Sequence, residues 1–203
     1  MTVESLPRTA PLQFWSERFA ALPDSVQIVA EPFVAMADLR VDPAGPAAAA
    51  VAEYLGVALP TTPSTWADGD TARVIWLGPD EWLVANPFIS PEDLEAGLRA
   101  AVSSAVDGAG AVINVSAQRT TLRLRGEHVR DVLATGCAID LHPRAFPAGS
   151  AAQTVLGQAG IVLLALDDTA THYQLLVRSS FARYLAAWLV DAAIEYTDPG
   201  RGA

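Results

Sequence analysis

The sequence predicts an α+β protein with mainly antiparallel sheets, built from duplicated strand–helix–hairpin–helix units. Three observations carry that expectation. Short apolar runs of strand length are joined by tight turns, which favours hairpins over parallel crossovers. Helical patterns follow the hairpins instead of separating single strands. One order (strand, turn, strand, capped helix) occupies residues 73–106 and recurs at residues 160–193. The expected division is an N-terminal arm over residues 1–23, a first half over 24–107 and a second over 108–203, both halves packing as one unit.

Phe14, Trp15 and Phe19 lie at helical spacing and suit an arm that docks on the body. Phe33 to Val41 alternates as a strand and ends at Asp42-Pro43. Pro46 opens an Ala-rich helix that places Val51, Ala52 and Leu55 inward and stops at Gly56. Residues 59–70 read as a loop of Pro, Thr, Ser and Asp. Arg73 to Leu77 and Trp82 to Ala85 form a hairpin around Gly78-Pro79-Asp80-Glu81. In Ser90-Pro91-Glu92-Asp93 a serine caps, a proline fills the first turn and two acids face the positive helix end. Leu94, Leu98, Ala101 and Val102 follow on one face. Asp107-Gly108-Ala109-Gly110 breaks the chain between the halves.

The second half repeats the plan. Residues 111–125 hold two strand-like runs broken near Ala117-Gln118. Glu127 to Thr135 reads as a helix with Val129, Val132 and Leu133 inward and Gly136 as its stop. Residues 152–156, 160–166 and 173–178 read as strands. Ser179-Ser180 is expected to cap a helix whose Phe181, Tyr184, Leu185, Trp188, Leu189 and Ala192 form a broad apolar stripe.

Composition narrows the function. The 203 residues carry a net charge of −10, and all 13 basic residues are arginine. An acidic chain without lysine is a poor match for a phosphate backbone, so nucleic acid is not an expected partner. The missing lysine also removes Schiff-base chemistry and a Walker-type phosphate lysine. No apolar run approaches the roughly 18 residues of a membrane span, and the first residues lack a basic start and an apolar core. With one cysteine no internal disulfide forms. A cytoplasmic chain without a membrane partner is the expectation.

Three stretches carry a family resemblance: Trp76-Leu77-Gly78-Pro79-Asp80-Glu81-Trp82-Leu83, residues 115–149, and Tyr173-Gln174-Leu175-Leu176-Val177-Arg178-Ser179-Ser180-Phe181. Together they resemble the gamma subunit of heterotetrameric sarcosine oxidase over nearly the whole chain. That family is similar in fold to the folate-binding domain of the glycine-cleavage aminomethyltransferase. The resemblance implies alpha, beta and delta subunits as partners and a complex that oxidatively demethylates sarcosine to glycine. Hydrogen peroxide and either formaldehyde or methylene-tetrahydrofolate would be its other products. It also implies that FAD, FMN, NAD, tetrahydrofolate and zinc reside in the other subunits and that this chain holds no cofactor. Asn114 and Ala117 depart from the Asp and His often found around Val-Ser. Folate-dependent transferases of this fold carry two adjacent acids in the strand after a Gly turn. Here Gly160 leads into Ile161-Val162-Leu163-Leu164, and a hydrocarbon cannot take a proton from an amine. The alternative expectation is an independent folate-binding or one-carbon protein of the same fold.

The remaining chemistry points to contact rather than catalysis. His128, His142, His172 and Cys137 have no metal-ligand spacing. Cys137, among small apolar residues, reads as an inert thiol. Asp140 reads as a turn former in its Pro-bounded loop, and Asp80-Glu81 as a solvated hairpin tip. Gly108 and Gly110 lack the dinucleotide-binding spacing. Arg119, Arg123 and Arg125 share one face of a strand, either paired with cross-strand acids or offered to a partner subunit, where arginine is enriched. These three arginines and the loop residues His142, Arg144 and Phe146 are the candidate subunit contacts; no catalytic, cofactor-binding or metal residue is assigned.

Overall fold

The computed structural model describes residues 8–106 and 108–197. Asp107 of the expected break and the start of the arm lie outside the described residues. In chain order the elements are α1 (Ser16–Ala20), β1 (Gln27–Glu31), β2 (Ala35–Arg40), α2 (Pro46–Leu55), β3 (Trp66–Asp68), β4 (Arg73–Gly78), β5 (Glu81–Asn86) and α3 (Pro91–Ser104). The order continues with β6 (Ala111–Asn114), β7 (Arg119–Arg125), α4 (Val129–Ala134), β8 (Ala151–Leu156), β9 (Ala159–Ala165), β10 (His172–Arg178) and α5 (Ala182–Ala192).

Local chemistry explains the helix ends that were legible. Ser90 Oγ accepts the Asp93 amide at 3.0 Å, satisfying one of the first-turn donors of α3. Gly56 ends α2 with φ +69°, a left-handed conformation that a side chain would strain. Leu94, Leu98 and Val102 of α3 face inward and are buried.

All strand pairs are antiparallel. One sheet runs β3-β4-β5-β2-β6 and the other, read in the equivalent direction, β8-β9-β10-β7-β1. The duplication thus extends to five strands and two helices per unit. In the first unit β6 follows α3 into its own sheet. The equivalent edge place in the second is filled by β1, from the opposite end of the chain. Sheet membership therefore does not follow the division at residue 108: β1 pairs with β7, and β6 with β2. Each exchanged strand covers an edge that would otherwise present unpaired amides and carbonyls.

Four layers result. Outer faces of the sheets pack against helices: Leu39, Val74, Trp82 and Val84 under α2 and α3, and Leu122, Leu124, Leu163 and Leu175 under α4 and α5. The inner faces meet through Met36, Ile75, Leu83, Val162, Leu164 and Leu176. The N-terminal segment docks by burying Leu12 and Phe19 beside Ile28.

Several elements differ from expectation. Strands β1 and β3 were not anticipated, because a five-residue run burying one large side chain and a three-residue run in a polar loop carry little periodicity. Gly136 is not a left-handed helix stop. A Cβ there would collide with Trp188 Cζ2 and stand 3.0 Å from its Cη2, so the indole requires the glycine. Ser179 and Ser180 begin a 3-10 turn and do not cap α5; Ser179 Oγ donates to Ala117 O at 2.9 Å. Phe181 and Tyr184 of the apolar stripe are exposed.

Candidate functional site

Strand alternation sends Leu122 and Leu124 into the helix-covered core and Arg119, Thr121, Arg123 and Arg125 to the opposite face. Arg123 Nε donates to Glu31 Oε1 at 2.7 Å, and Gln174 Nε2 donates to Glu31 Oε2 at 2.7 Å. Gln174 Oε1 in turn accepts from Arg73 Nη1 at 2.7 Å. Arg73 makes a bidentate pair with Asp68, both bonds 2.8 Å, and lies 4.1 Å over the Trp66 ring. A continuous polar chain thus runs from β1 through β7 and β10 to β4 and β3, joining the two sheets. It borders a cavity of about 280 Å³.

Arg119 sits at the other end of this face. Burial, followed by the charge of Arg178, holds its guanidinium below the usual arginine range; Asp38 and Glu81 act in the opposite direction. Asp38 is pushed above the ordinary carboxyl value by burial first, then by the charge and hydrogen bond of Glu81, with Arg40 and Arg119 opposing. Arg40 Nη2 lies 2.7 Å from Glu81 Oε2. Asp80 is exposed as a hairpin tip should be, but Glu81 starts β5 and turns toward Arg40, which corrects the expectation of a solvated pair.

The loop before β8 is held by its own polar groups. Asp140 Oδ1 accepts the His142 amide at 2.8 Å, and His142 Nδ1 accepts the Arg144 amide at 3.2 Å. Asp140 is the turn former its setting suggested. His142 and Arg144 are exposed. Phe146 is not available as a contact: it is 6 % exposed and packs in the core beside Leu141 and Tyr173. A ring of that size gains more from burial than from solvent. The loop's buried side chains therefore enter the sheet face opposite the arginines, and no described hydrogen bond or ion pair links the two groups. Of the three strand arginines, Arg123 is committed to Glu31, Arg119 is largely enclosed and Arg125 is exposed.

The titratable groups elsewhere are dispersed. His128 stacks on Tyr196 with ring centroids 4.5 Å apart. His172 is held below its ordinary value by burial and then by Arg123, with Arg125 and Arg73 adding to this and Asp167 opposing. Among the described residues no group of three or more His, Cys, Asp or Glu could hold a metal ion, and no helix is long and apolar enough to cross a membrane. The polar chain was missed from sequence because its members are far apart along the chain. Alternation in β2 could have placed Asp38 and Arg40 beside Met36 on the inner face.

The family model for the sarcosine oxidase gamma subunit matches residues 40–195. The chain belongs to that family. It is 34% identical over 194 residues to the sarcosine oxidase subunit gamma of Corynebacterium sp. (strain P-1), covering 93% of this chain and 91% of that one. Against the subunit gamma of an Arthrobacter species it is 34% identical over 169 residues, covering 82% and 79%. A chain of the heterotetrameric sarcosine oxidase from Corynebacterium sp. U-96 superposes with a TM-score of 0.83 at 30% identity, over 94% of this chain and 97% of that one. The glycine cleavage system aminomethyltransferase T from Bartonella henselae matches at TM-score 0.60 and 17% identity, over 97% of this chain and 55% of that one. This second likeness shows a shared fold. In β9 the positions after Gly160 are Ile161, Val162, Leu163 and Leu164, all buried, so this strand offers no carboxylate.

Proposed function

We propose that the chain is the non-catalytic gamma subunit of a cytoplasmic heterotetrameric sarcosine oxidase, docking on alpha, beta and delta chains. The observation that carries this is the match along almost the full length of both chains to gamma subunits and to a chain of a heterotetrameric enzyme. The complex would demethylate sarcosine oxidatively to glycine, releasing hydrogen peroxide and formaldehyde or methylene-tetrahydrofolate. FAD, FMN, NAD, tetrahydrofolate and zinc belong to the other subunits in this proposal. The chain's own part is structural: its interlocked sheets present a rigid surface, and a rigid partner loses little freedom on association.

Among the six candidate contacts, Arg125 and Arg144 keep their side chains free for a partner and His142 is exposed with its Nδ1 holding the Arg144 amide, while Arg119 and Arg123 serve the inner face and Phe146 the core. The test is co-expression of the other three subunits with and without this chain. Assembly and sarcosine-dependent peroxide formation should fall together when it is omitted. Full activity and an unchanged particle without it would overturn the proposal.

A further inference from the structure

A second cavity, of about 710 Å³, lies where β1 leaves β7 and crosses to the first sheet. Leu12, Ile28, Val34 and Met36 give it apolar wall. Pairing of β1 ends at Glu31 opposite Thr121, so Arg119 and Thr120 extend past the covering strand. Three buried polar atoms on residues lining the cavity have no hydrogen-bond partner: Arg119 Nε, Thr120 Oγ1 and Thr121 Oγ1. Thr120 and Thr121 are only 7 % and 2 % exposed. Arg119 and Thr121 stand two residues apart on one face of β7, and Thr120 on the other.

On the sheet side of this wall three other polar side chains are engaged, while Arg8, Thr9, Gln13 and Ser16 line the side formed by the N-terminal segment. Ser116 Oγ accepts the Met36 amide and bonds Asn114, Ser179 Oγ donates to Ala117 O, and both Glu31 oxygens accept bonds already described. What stays unclaimed on the inner face is a guanidinium N–H and a hydroxyl, both buried. Native proteins pair nearly all such groups, and an orphan pair beside a large hollow marks a place that something fills.

We propose that this cavity binds an amphipathic organic monocarboxylate, its carboxylate on Arg119 and Thr121 and its hydrocarbon body against Leu12, Ile28, Val34 and Met36. The guanidinium fork matches a carboxylate in shape and charge, and the threonine hydroxyl adds a second donor. The volume falls in the range of small-molecule sites, which combine apolar walls with a few placed polar groups. Water could satisfy the donors but gains nothing from the hydrocarbon wall.

Calorimetric titration of the full-length chain with decanoate tests this, with 1-decanol and acetate as probes lacking the charge and the body. Decanoate should bind in a 1:1 ratio and both controls at least about tenfold more weakly. Thr121→Val, nearly isosteric, and Arg119→Gln should each weaken decanoate by at least about tenfold with no matching change for decanol. Thr121→Val keeps the test decisive if Arg119→Gln fails to fold. Equal binding of decanol and decanoate, decanoate affinity unchanged in Thr121→Val, or no binding of decanoate would each overturn the proposal.

Discussion

Gly126→Ala is the sharpest perturbation of the strand exchange. Gly126 follows β7 with φ +139°, and a Cβ there would collide with Ser25 O and the Ser25 carbonyl carbon and stand 2.9 Å from Asp24 O. These are backbone atoms leading directly into β1. They have little room to retreat: Ser25 O accepts the His128 amide at 3.0 Å, and Val26 is fully buried. The strained backbone and the displaced packing together should cost about 2–6 kcal/mol. For a chain of this length a value near 4 kcal/mol corresponds to a fall in Tm of roughly 8–16 °C. Thermal and urea unfolding measure the loss, and hydrogen exchange locates it at the β1 amides that pair with β7. Gly97→Ala is the matched control. Its Cβ would meet the Tyr54 ring, but Tyr54 is 43 % exposed and can swing away, while alanine gains about 1 kcal/mol in a helix. A Gly126→Ala chain within about 0.5 kcal/mol of wild type, with unchanged β1 exchange, would refute the placement of β1.

Three further outcomes follow from named contacts. Ser90→Ala removes the side-chain acceptor at the start of α3 and should cost about 1 kcal/mol by urea unfolding, whereas Ser90→Thr, which keeps a hydroxyl to accept the Asp93 amide and donate to its carboxylate, should recover most of it. Burial pushes the Tyr173 phenol up to about 12 from 10.0. The unfolded chain loses this proton first, so stability holds below pH 10 and falls by on the order of 2 kcal/mol as pH rises toward 12. Tyr173→Phe should remove that alkaline loss in a denaturation series. His172 has the opposite sense: its folded value lies below 6.5, so the unfolded chain takes up the proton first and stability falls as pH drops below 6.5. A His172→Gln chain should show a shallower acid limb, and an unchanged limb would exclude His172 as its source.

What the sequence made legible is what short-range chemistry decides. The Ser90-Pro91-Glu92-Asp93 start, the Gly56 stop and the two hairpins each depend on residues within a few positions of one another. So does the repeated hairpin and helix, from which the duplication follows. Long-range partners decide the rest. β1 is a strand because β7 lies beside it, and Glu31 meets Arg123 and Gln174 across 92 and 143 residues. Gly136 is required by Trp188 rather than by its own helix. Phe146 shows the limit most plainly: an aromatic residue in a Pro-bounded loop looks the same whether its ring faces a partner or the core. The arginine face was legible as a face, since alternation alone defines it, but which arginines stay free depended on acids from other strands.

The most direct test of the assembly role is purification through an affinity tag on this chain, co-expressed with the alpha, beta and delta subunits, followed by size exclusion with flavin absorbance recorded beside protein. The gamma-subunit assignment predicts one flavin-bearing peak containing this chain in equal stoichiometry with the other three. Elution of this chain as a lone 21.4 kDa species, apart from an assembled flavoprotein, would contradict it.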